Sequence, residues 1–332
     1  GEKMILPQKT LLPLFGGTLF LSAALMFAVQ PMVGKMLLPL VGGAPAGWVV
    51  AMAFFQVALL AGYFLADILS RFTPQKRALL FVAALGLGIA FLPITLGGAE
   101  SADSPVGVFH LLTICIAVPF IALSATSSTV QRLFTVTGHK DAKDPYFLYA
   151  ASNLGSFTGL FLYPLVVERY WGLQQQGQYW FYGYAALIGV ALLCLCCAGG
   201  QEKKAEQKTA AATITLRQQA MWVFLAFIPS SLMLGVTTHI STDIFSAPMI
   251  WIWPLGLYLL TFVVAFSKRT PVSLDKMAAL QPIAVVAALF LLFMYNSDFG
   301  LSWSAAGIHL ACFTIVALMC HMRLAFSRPE DP

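Results

Sequence analysis

The sequence predicts an all-α, polytopic membrane protein with about ten transmembrane helices, and three observations support this fold class. Of the 332 residues, 59% are hydrophobic and only 10% are charged, a balance that is unusual for a soluble domain. Apolar segments of roughly 17 to 25 residues, long enough to cross a bilayer, alternate with polar breaks. All but two of the 19 Lys and Arg residues lie in alternate polar breaks, that is, on one side of the predicted membrane, which indicates a fixed orientation.

The predicted spans follow one another through short connections. We place them at about 11-31, 46-70, 77-97, 107-131, 146-166, 178-198, 218-238, 247-267, 277-295 and 301-321. Only Lys35 and Arg169 lie in the set of breaks that is poor in basic residues. By the positive-inside rule the other set is cytoplasmic, so we expect a bacterial inner membrane protein with both termini in the cytoplasm. The net charge of +5 then reflects topology, and no nucleic-acid partner is expected.

Short matches between the two halves indicate an internal repeat, in which spans one to four correspond to spans seven to ten. The matched pairs are 22–29 with 230–236, Thr73-Pro74 with Thr270-Pro271, and His110-Leu111 with His309-Leu310. A repeat of six spans keeps its orientation in the membrane, as in the two bundles of major-facilitator transporters. We therefore predict a six-helix bundle over 1-198, a cytoplasmic linker over 199-217 and an incomplete four-helix bundle over 218-332.

Several runs also carry a resemblance to a known family. They are 30–43, 144–156, 237–243 and 253–262. Together they resemble the membrane region of bacterial fused spermidine-synthase-like proteins, over nearly the whole chain. The resemblance implies further spans and a soluble aminopropyltransferase-like domain. This sequence holds no soluble stretch of that size, and its only GxG-like run, Gly86-Leu87-Gly88, lies within a span. We therefore expect neither catalysis nor a cofactor in this chain.

Polar residues inside spans are costly, so they are the first candidates for function. In the second span Gln56, Tyr63 and Asp67 share one helical face, which we expect to line the bundle. Asp67 followed by Arg71 resembles the major-facilitator loop motif. For that acid we expect a structural clasp.

The outer ends of spans one and seven are equivalent by the repeat and are both polar. The first carries Gln30 and Lys35, and the second carries Thr238, His239 and Asp243. Both ends are also expected to interrupt their helices, at Pro31 and Gly34 in one and at a run of Thr in the other, a pattern typical of transporter sites. Two interpretations stay open: a ligand site, or a structural bridge between Lys35 and Asp243.

Three further residues are candidates. His110 and His309 are symmetric in the repeat, and their imidazoles suit metal or haem ligation, proton transfer or local hydrogen bonding. No carboxylate lies within four residues of either, which argues against a metal site. In the fifth span Gly155 and Gly159 continue a small-residue packing face from Ala151. Asn153 lies off that face and is suited to bond across the bundle or to face a cavity.

Two classes of function remain open from the sequence. One is a non-catalytic membrane module of a spermidine-synthase-like system, acting as anchor or accessory subunit of a larger membrane complex. Its partners would be lipid and either other membrane subunits or a soluble synthase-like domain. The alternative is a transporter-like protein that handles a small cationic solute such as a polyamine.

Overall fold

The computed structural model describes residues 8–41, 45–96, 104–137, 139, 146–198, 215–244, 250–266, 272–294 and 302–327. This part of the chain is almost entirely helical and contains no strand, as the hydropathy pattern predicts. Within it, eight helical segments are long and apolar enough to cross a membrane. These lengths and compositions are those of a helical membrane protein.

The chain separates into two compact units, Gly1–Gln207 and Lys208–Pro332. The helices of the first unit are α1 (Gln8–Val41), α2 (Pro45–Ser70), α3 (Pro74–Gly88), α4 (Pro105–Ser124), α5 (Thr126–Thr135), α6 (Tyr146–Leu162), α7 (Glu168–Tyr170) and α8 (Leu173–Ala198). A 3-10 turn over Ile89–Phe91 extends α3, and a π-helical segment over Tyr163–Val167 joins α6 to the short α7.

The described part of the second unit consists of four helices and a second π-helical segment. They are α9 (Leu216–His239), the π-helical Ile240–Ile244, α10 (Ile252–Ala265), α11 (Leu274–Met294) and α12 (Ser302–Phe326). Thr215 caps α9 through a reciprocal pair of hydrogen bonds with Gln218. Most of the predicted linker, residues 199–214, lies outside the described residues.

The predicted spans correspond to these helices with three differences. The fifth corresponds to α6, which has 17 residues before the π-helical segment and is not among the eight long apolar segments. The fourth span is divided between α4 and α5, which meet at Ala125 within one apolar stretch. The eighth corresponds to α10, which has 14 described residues and is shorter than a full crossing. The count of ten spans and the repeat stay predictions.

Small residues set the closest helix contact of the first unit, as the sequence predicts. A Cβ atom added to Gly155 of α6 would lie 2.2 Å from the carbonyl oxygen of Phe20, and one added to Gly159 would lie 2.3 Å from that of Ala24. The backbones of α1 and α6 therefore touch, which only glycine permits. Because the paired residue numbers rise together, α1 and α6 run parallel.

Helix α8 packs against α1 in the opposite direction. The indole nitrogen Nε1 of Trp180 donates to the carbonyl oxygen of Leu25 at 3.0 Å, and Thr18 Oγ1 lies 3.4 Å from Cys194 Sγ. Residue numbers fall along α8 as they rise along α1, so these helices are antiparallel. The directions of α1, α6 and α8 agree with the alternation of the predicted first, fifth and sixth spans.

Helix α1 differs from its prediction, because the expected interruption at Pro31 and Gly34 does not occur. The helix runs unbroken to Val41 with Pro31 inside it. A proline removes one backbone hydrogen bond, but packing against neighbouring helices and side-chain donors lets membrane helices tolerate it. Gln30 Nε2 donates to the carbonyl oxygen of Met26 at 3.3 Å, one residue before the Phe27 carbonyl that Pro31 leaves without its helical partner.

A basic residue closes the turn between α2 and α3. Arg77 donates from Nε to the carbonyl oxygen of Leu69 at 3.3 Å and from Nη2 to those of Ser70 and Phe72 at 2.9 and 3.1 Å. The last carbonyls of a helix have no partner within the helix, so this guanidinium caps α2.

In the second unit α12 is the central helix and contacts α9, α10 and α11. Trp222 of α9 donates to the hydroxyl oxygen of Ser327 at 3.0 Å, and Cys312 donates to the carbonyl oxygen of Ala284 on α11 at 2.8 Å. This position buries one whole face of α12 and places its histidines among the other helices.

Candidate functional site

The second unit brings together three of the residues singled out from the sequence, at the point where α9 becomes π-helical. His239 is the last residue of α9 and Asp243 lies in the π-helical segment that follows. The imidazole Nδ1 of His239 lies 2.6 Å from the carboxylate oxygen Oδ2 of Asp243. A carboxylate only accepts hydrogen bonds, so Nδ1 is the donor of this pair and the carboxylate orients the ring.

The third residue is His309 of α12. Its ring meets that of His239 edge to face, with centroids 4.8 Å apart. The side chain is 5% exposed, and within the described part of the chain it makes no hydrogen bond. The predicted repeat makes His309 equivalent to His110. In the structure the ring of His309 contacts that of His239.

Both imidazoles line a cavity of about 380 Å³ between α9, α11 and α12. Its other walls are aliphatic and aromatic, apart from the thiol of Cys312 and the backbone of Gly235. Phe313 is buried at one wall, while Leu289 of α11 is half exposed at another. The volume lies within the usual range for small-molecule sites, and the polar groups sit together on one side of an apolar space.

The hydroxyl groups near this pair bond locally. The carbonyl oxygen of Thr238 accepts hydrogen bonds from the hydroxyls of Ser241 and Thr242, at 3.1 and 2.8 Å. The Thr242 hydroxyl also lies 3.1 Å from Asp243 Oδ1. Thr238 itself is exposed. These bonds support the π-helical turn, whose backbone geometry is common near functional sites.

In the first unit Lys35 forms an ion pair with Glu168, at the end of the parallel helices α1 and α6–α7. Both side chains are mostly buried, with 20% and 30% of their surfaces exposed. One interpretation of the sequence was a bridge between Lys35 and Asp243. In the structure Lys35 bonds to Glu168, and Asp243 bonds to His239.

The polar face of α2 lies on the surface. Gln56, Tyr63 and Asp67 are all exposed, so they do not line the packed interior of the first unit. The reason is Gly62, which turns the small-residue face of α2 toward α4: an added Cβ would lie 2.8 Å from the Ile121 carbonyl oxygen. Asp67 pairs with Arg71 of the same chain segment at 3.0 Å.

The remaining candidates are scattered. Gln30 bonds within α1, Asn153 of α6 is half-buried without a hydrogen bond to the described residues, and His110 is exposed on α4. No group of three or more His, Cys, Asp or Glu residues among those described is arranged to hold a metal ion.

Two residues with notable contacts, Glu168 and His321, were not predicted from the sequence. Glu168 is 133 positions from Lys35, and nothing in the sequence links them. His321 is completely buried between Tyr258 and Phe262, with Nδ1 3.1 Å from the hydroxyl of Thr261 and no hydrogen-bond partner for Nε2 in the described part of the chain. The four-residue spacing of His239 and Asp243, by contrast, was a signal that the sequence offered.

The fold and these sites define a polytopic, helical membrane protein with a small apolar cavity in its second unit. In comparisons with known proteins, the sequence matches no family model and no curated protein.

Proposed function

We propose that this chain is a non-catalytic integral membrane module, which acts as an anchor or accessory subunit of a larger membrane complex. Following the sequence resemblance, that complex belongs to a spermidine-synthase-like system of the bacterial inner membrane. The observation that carries the proposal is Gln56, an exposed amide inside an apolar span.

Gln56 lies seven residues into the apolar stretch Val49–Ser70, and its side chain makes no hydrogen bond to the described residues. Lipid tails have no hydrogen-bonding groups, so an amide that faces them is left without a partner at a cost of about 1 kcal/mol or more. A glutamine on a transmembrane helix normally bonds to a polar group of a neighbouring helix. The exposed face of α2 is therefore suited to receive a helix of another membrane subunit.

The interior of the first unit supports a structural role. Two of its buried aromatic residues have hydrogen-bond partners on other helices: Trp180 with the Leu25 carbonyl, and Tyr184 with the Leu85 carbonyl at 3.1 Å. Lys35 is held by Glu168. Hydrogen bonds and ion pairs between helices stabilise a rigid module, and the outer face of that module remains available for assembly.

A crosslinking experiment in native membranes tests this function. Leu60 is 69% exposed and lies one turn from Gln56 on the same side of α2. A photo-crosslinking amino acid at position 60 is expected to form an adduct with one membrane polypeptide. Gln56→Leu should reduce that adduct about tenfold, because the interhelical hydrogen bond is lost, while leaving the purified chain as stable as before.

Gln174→Leu is the matched control, since Gln174 is an exposed amide at the start of α8. It should leave the adduct at position 60 unchanged. Crosslinking to lipid alone, or an adduct that Gln56→Leu does not weaken, would contradict the proposal.

The alternative function is the handling of a small cationic solute. It is favoured by Asp243, a half-exposed carboxylate at the π-helical end of α9, where a helix irregularity and a negative charge coincide. Spermidine binding that disappears in Asp243→Asn would favour this alternative over a module without a ligand.

A further inference from the structure

The cavity of the second unit contains a buried polar group that the membrane-module function does not use. His309 is 95% buried and lines the cavity, yet within the described residues it makes no hydrogen bond. A buried polar group without a partner costs roughly 1–3 kcal/mol. Such groups are rare, and each one calls for a missing partner.

The position of His309 points to a ligand as that partner. Its ring is fixed from one side by the edge-to-face contact with His239, which is in turn oriented by Asp243. The opposite walls, formed by residues such as Leu232, Val285 and Phe313, offer no hydrogen-bonding side chain. A molecule in the cavity is thus the natural source of a bond to His309.

The walls also restrict the chemistry of that molecule. A multivalent cation would lose its hydration against aliphatic side chains, with only Asp243 to compensate, and that carboxylate is already bonded to His239. An anionic head group would be repelled by the same carboxylate. A neutral imidazole offers one donor and one acceptor, which suits a hydroxyl or a carbonyl oxygen.

Access to the cavity is from the apolar surface of the unit. Val285, Leu289 and Leu292 of α11 line the cavity and are each 39–49% exposed. A molecule dissolved in the membrane can therefore enter between α9 and α11 without crossing water. Its apolar part would remain in contact with these side chains.

We propose that the cavity between α9, α11 and α12 binds a neutral, membrane-soluble amphiphile, whose oxygen-bearing head group hydrogen-bonds to His309 and whose apolar body lies along α11. Prenylated quinones and diacylglycerols both have this chemistry. The site does not depend on the assembly through α2, because every residue that forms it belongs to the second unit.

Ligand titration of the whole purified chain in nanodiscs of phosphatidylcholine tests the site. The probes are decylubiquinone, dioctanoylglycerol, spermidine and phosphatidylglycerol, with Kd measured by calorimetry and Tm by intrinsic fluorescence. At least one of the two neutral probes, decylubiquinone or dioctanoylglycerol, should bind and raise Tm. His309→Phe keeps a planar aromatic ring of similar shape but removes the hydrogen bond, so it should weaken that binding at least about tenfold.

Three further variants make the result specific. His110→Phe is the same substitution at an exposed histidine of the first unit and should leave Kd unchanged. His309→Gln retains a donor and an acceptor and should bind within a few-fold of the unmodified chain. Leu289→Trp fills the cavity from its exposed edge and should abolish binding.

The proposal is overturned if neither neutral probe binds, or if His309→Phe binds as well as the unmodified chain. Preferential binding of spermidine or phosphatidylglycerol would overturn it as well. If His309→Phe does not fold, Leu289→Trp decides: unchanged binding in that variant places the ligand elsewhere and rejects the site.

Discussion

The two units treat buried polar groups in different ways. In the first unit Trp180, Tyr184 and Lys35 each bond to a group on another helix. In the second unit the Nε2 atom of His321 is buried without a hydrogen bond to any described residue, and the mostly buried His309 lines the cavity without one. Thr129 Oγ1 of the first unit is likewise buried without a hydrogen bond to the described residues, so the difference is one of place: in the second unit a histidine without a hydrogen bond lines a cavity.

The largest expected effect comes from the helix contact that closes the first unit. In Gly155→Leu the new side chain would start 2.2 Å from a backbone oxygen of α1, which cannot move aside as a flexible side chain can. We expect a loss of at least about 3 kcal/mol of unfolding free energy, measured by SDS titration of the purified chain.

Gly189→Leu on α8 is the control for this substitution, because no atom lies within 4 Å of a Cβ added there. It should change stability by less than about 1 kcal/mol. Equal effects of the two variants would show that the α1–α6 contact does not hold the first unit together.

An intermediate effect is expected from the ion pair of the first unit. Lys35→Met leaves the mostly buried carboxylate of Glu168 without its partner and should cost about 2 kcal/mol. Adding Glu168→Gln removes the uncompensated charge, so the double variant should recover most of that loss. The double-mutant cycle is measured by SDS titration, without any ligand.

Additive effects in this cycle would contradict a structural bridge. A Lys35→Met variant of unchanged stability that loses solute binding would instead assign Lys35 to a ligand site. With that second outcome, the first unit as well as the second would contain a ligand site.

The smallest effect is expected from a paired comparison of buried rings. Tyr184→Phe removes a hydroxyl that bonds to the Leu85 carbonyl and should cost about 1 kcal/mol. His321→Phe removes the bond to Thr261 together with the unpartnered Nε2, and Thr261 keeps its hydrogen bond to the Tyr258 carbonyl at 2.7 Å. Its unfolding free energy, determined by the same titration, should change by less than about 0.5 kcal/mol.

A large loss in His321→Phe would mean that this imidazole has an essential partner, such as a bound water. His321 would then not be an unused polar group of the second unit. Tyr182→Phe, at a tyrosine that is 60% exposed, is the neutral reference for both variants.

Much of the helical architecture could be predicted because hydropathy depends on local sequence. The positions of the helices, the parallel course of α1 and α6, and the glycine contact at Gly155 and Gly159 all follow from apolar length and small-residue spacing. The unbroken α1 could not be predicted in this way. A proline such as Pro31 ends a helix in water, but within packed membrane helices its effect depends on neighbours that the sequence does not identify.

The candidate site was only partly predictable for the same reason. His239 and Asp243 are four residues apart on a helical segment, so their contact could be inferred from spacing alone. The contacts of His309 with His239 and of Lys35 with Glu168 join distant segments. The polar face of α2 was correctly placed on one side of its helix, but which side faces outward depends on how Gly62 packs against α4.

The parallel course of α1 and α6 has an electrostatic consequence for the end at which they finish. Aligned helices have aligned dipoles, so the negative poles of α1 and of α6–α7 lie at the same end of the first unit. Lys35 lies six residues before the end of α1, and its ammonium group is paired with Glu168 in the last turn of α6–α7. The ammonium group therefore stands beside the negative pole of α6–α7 as well as a carboxylate, so a cation is favoured here by the helix dipole in addition to its side-chain partner.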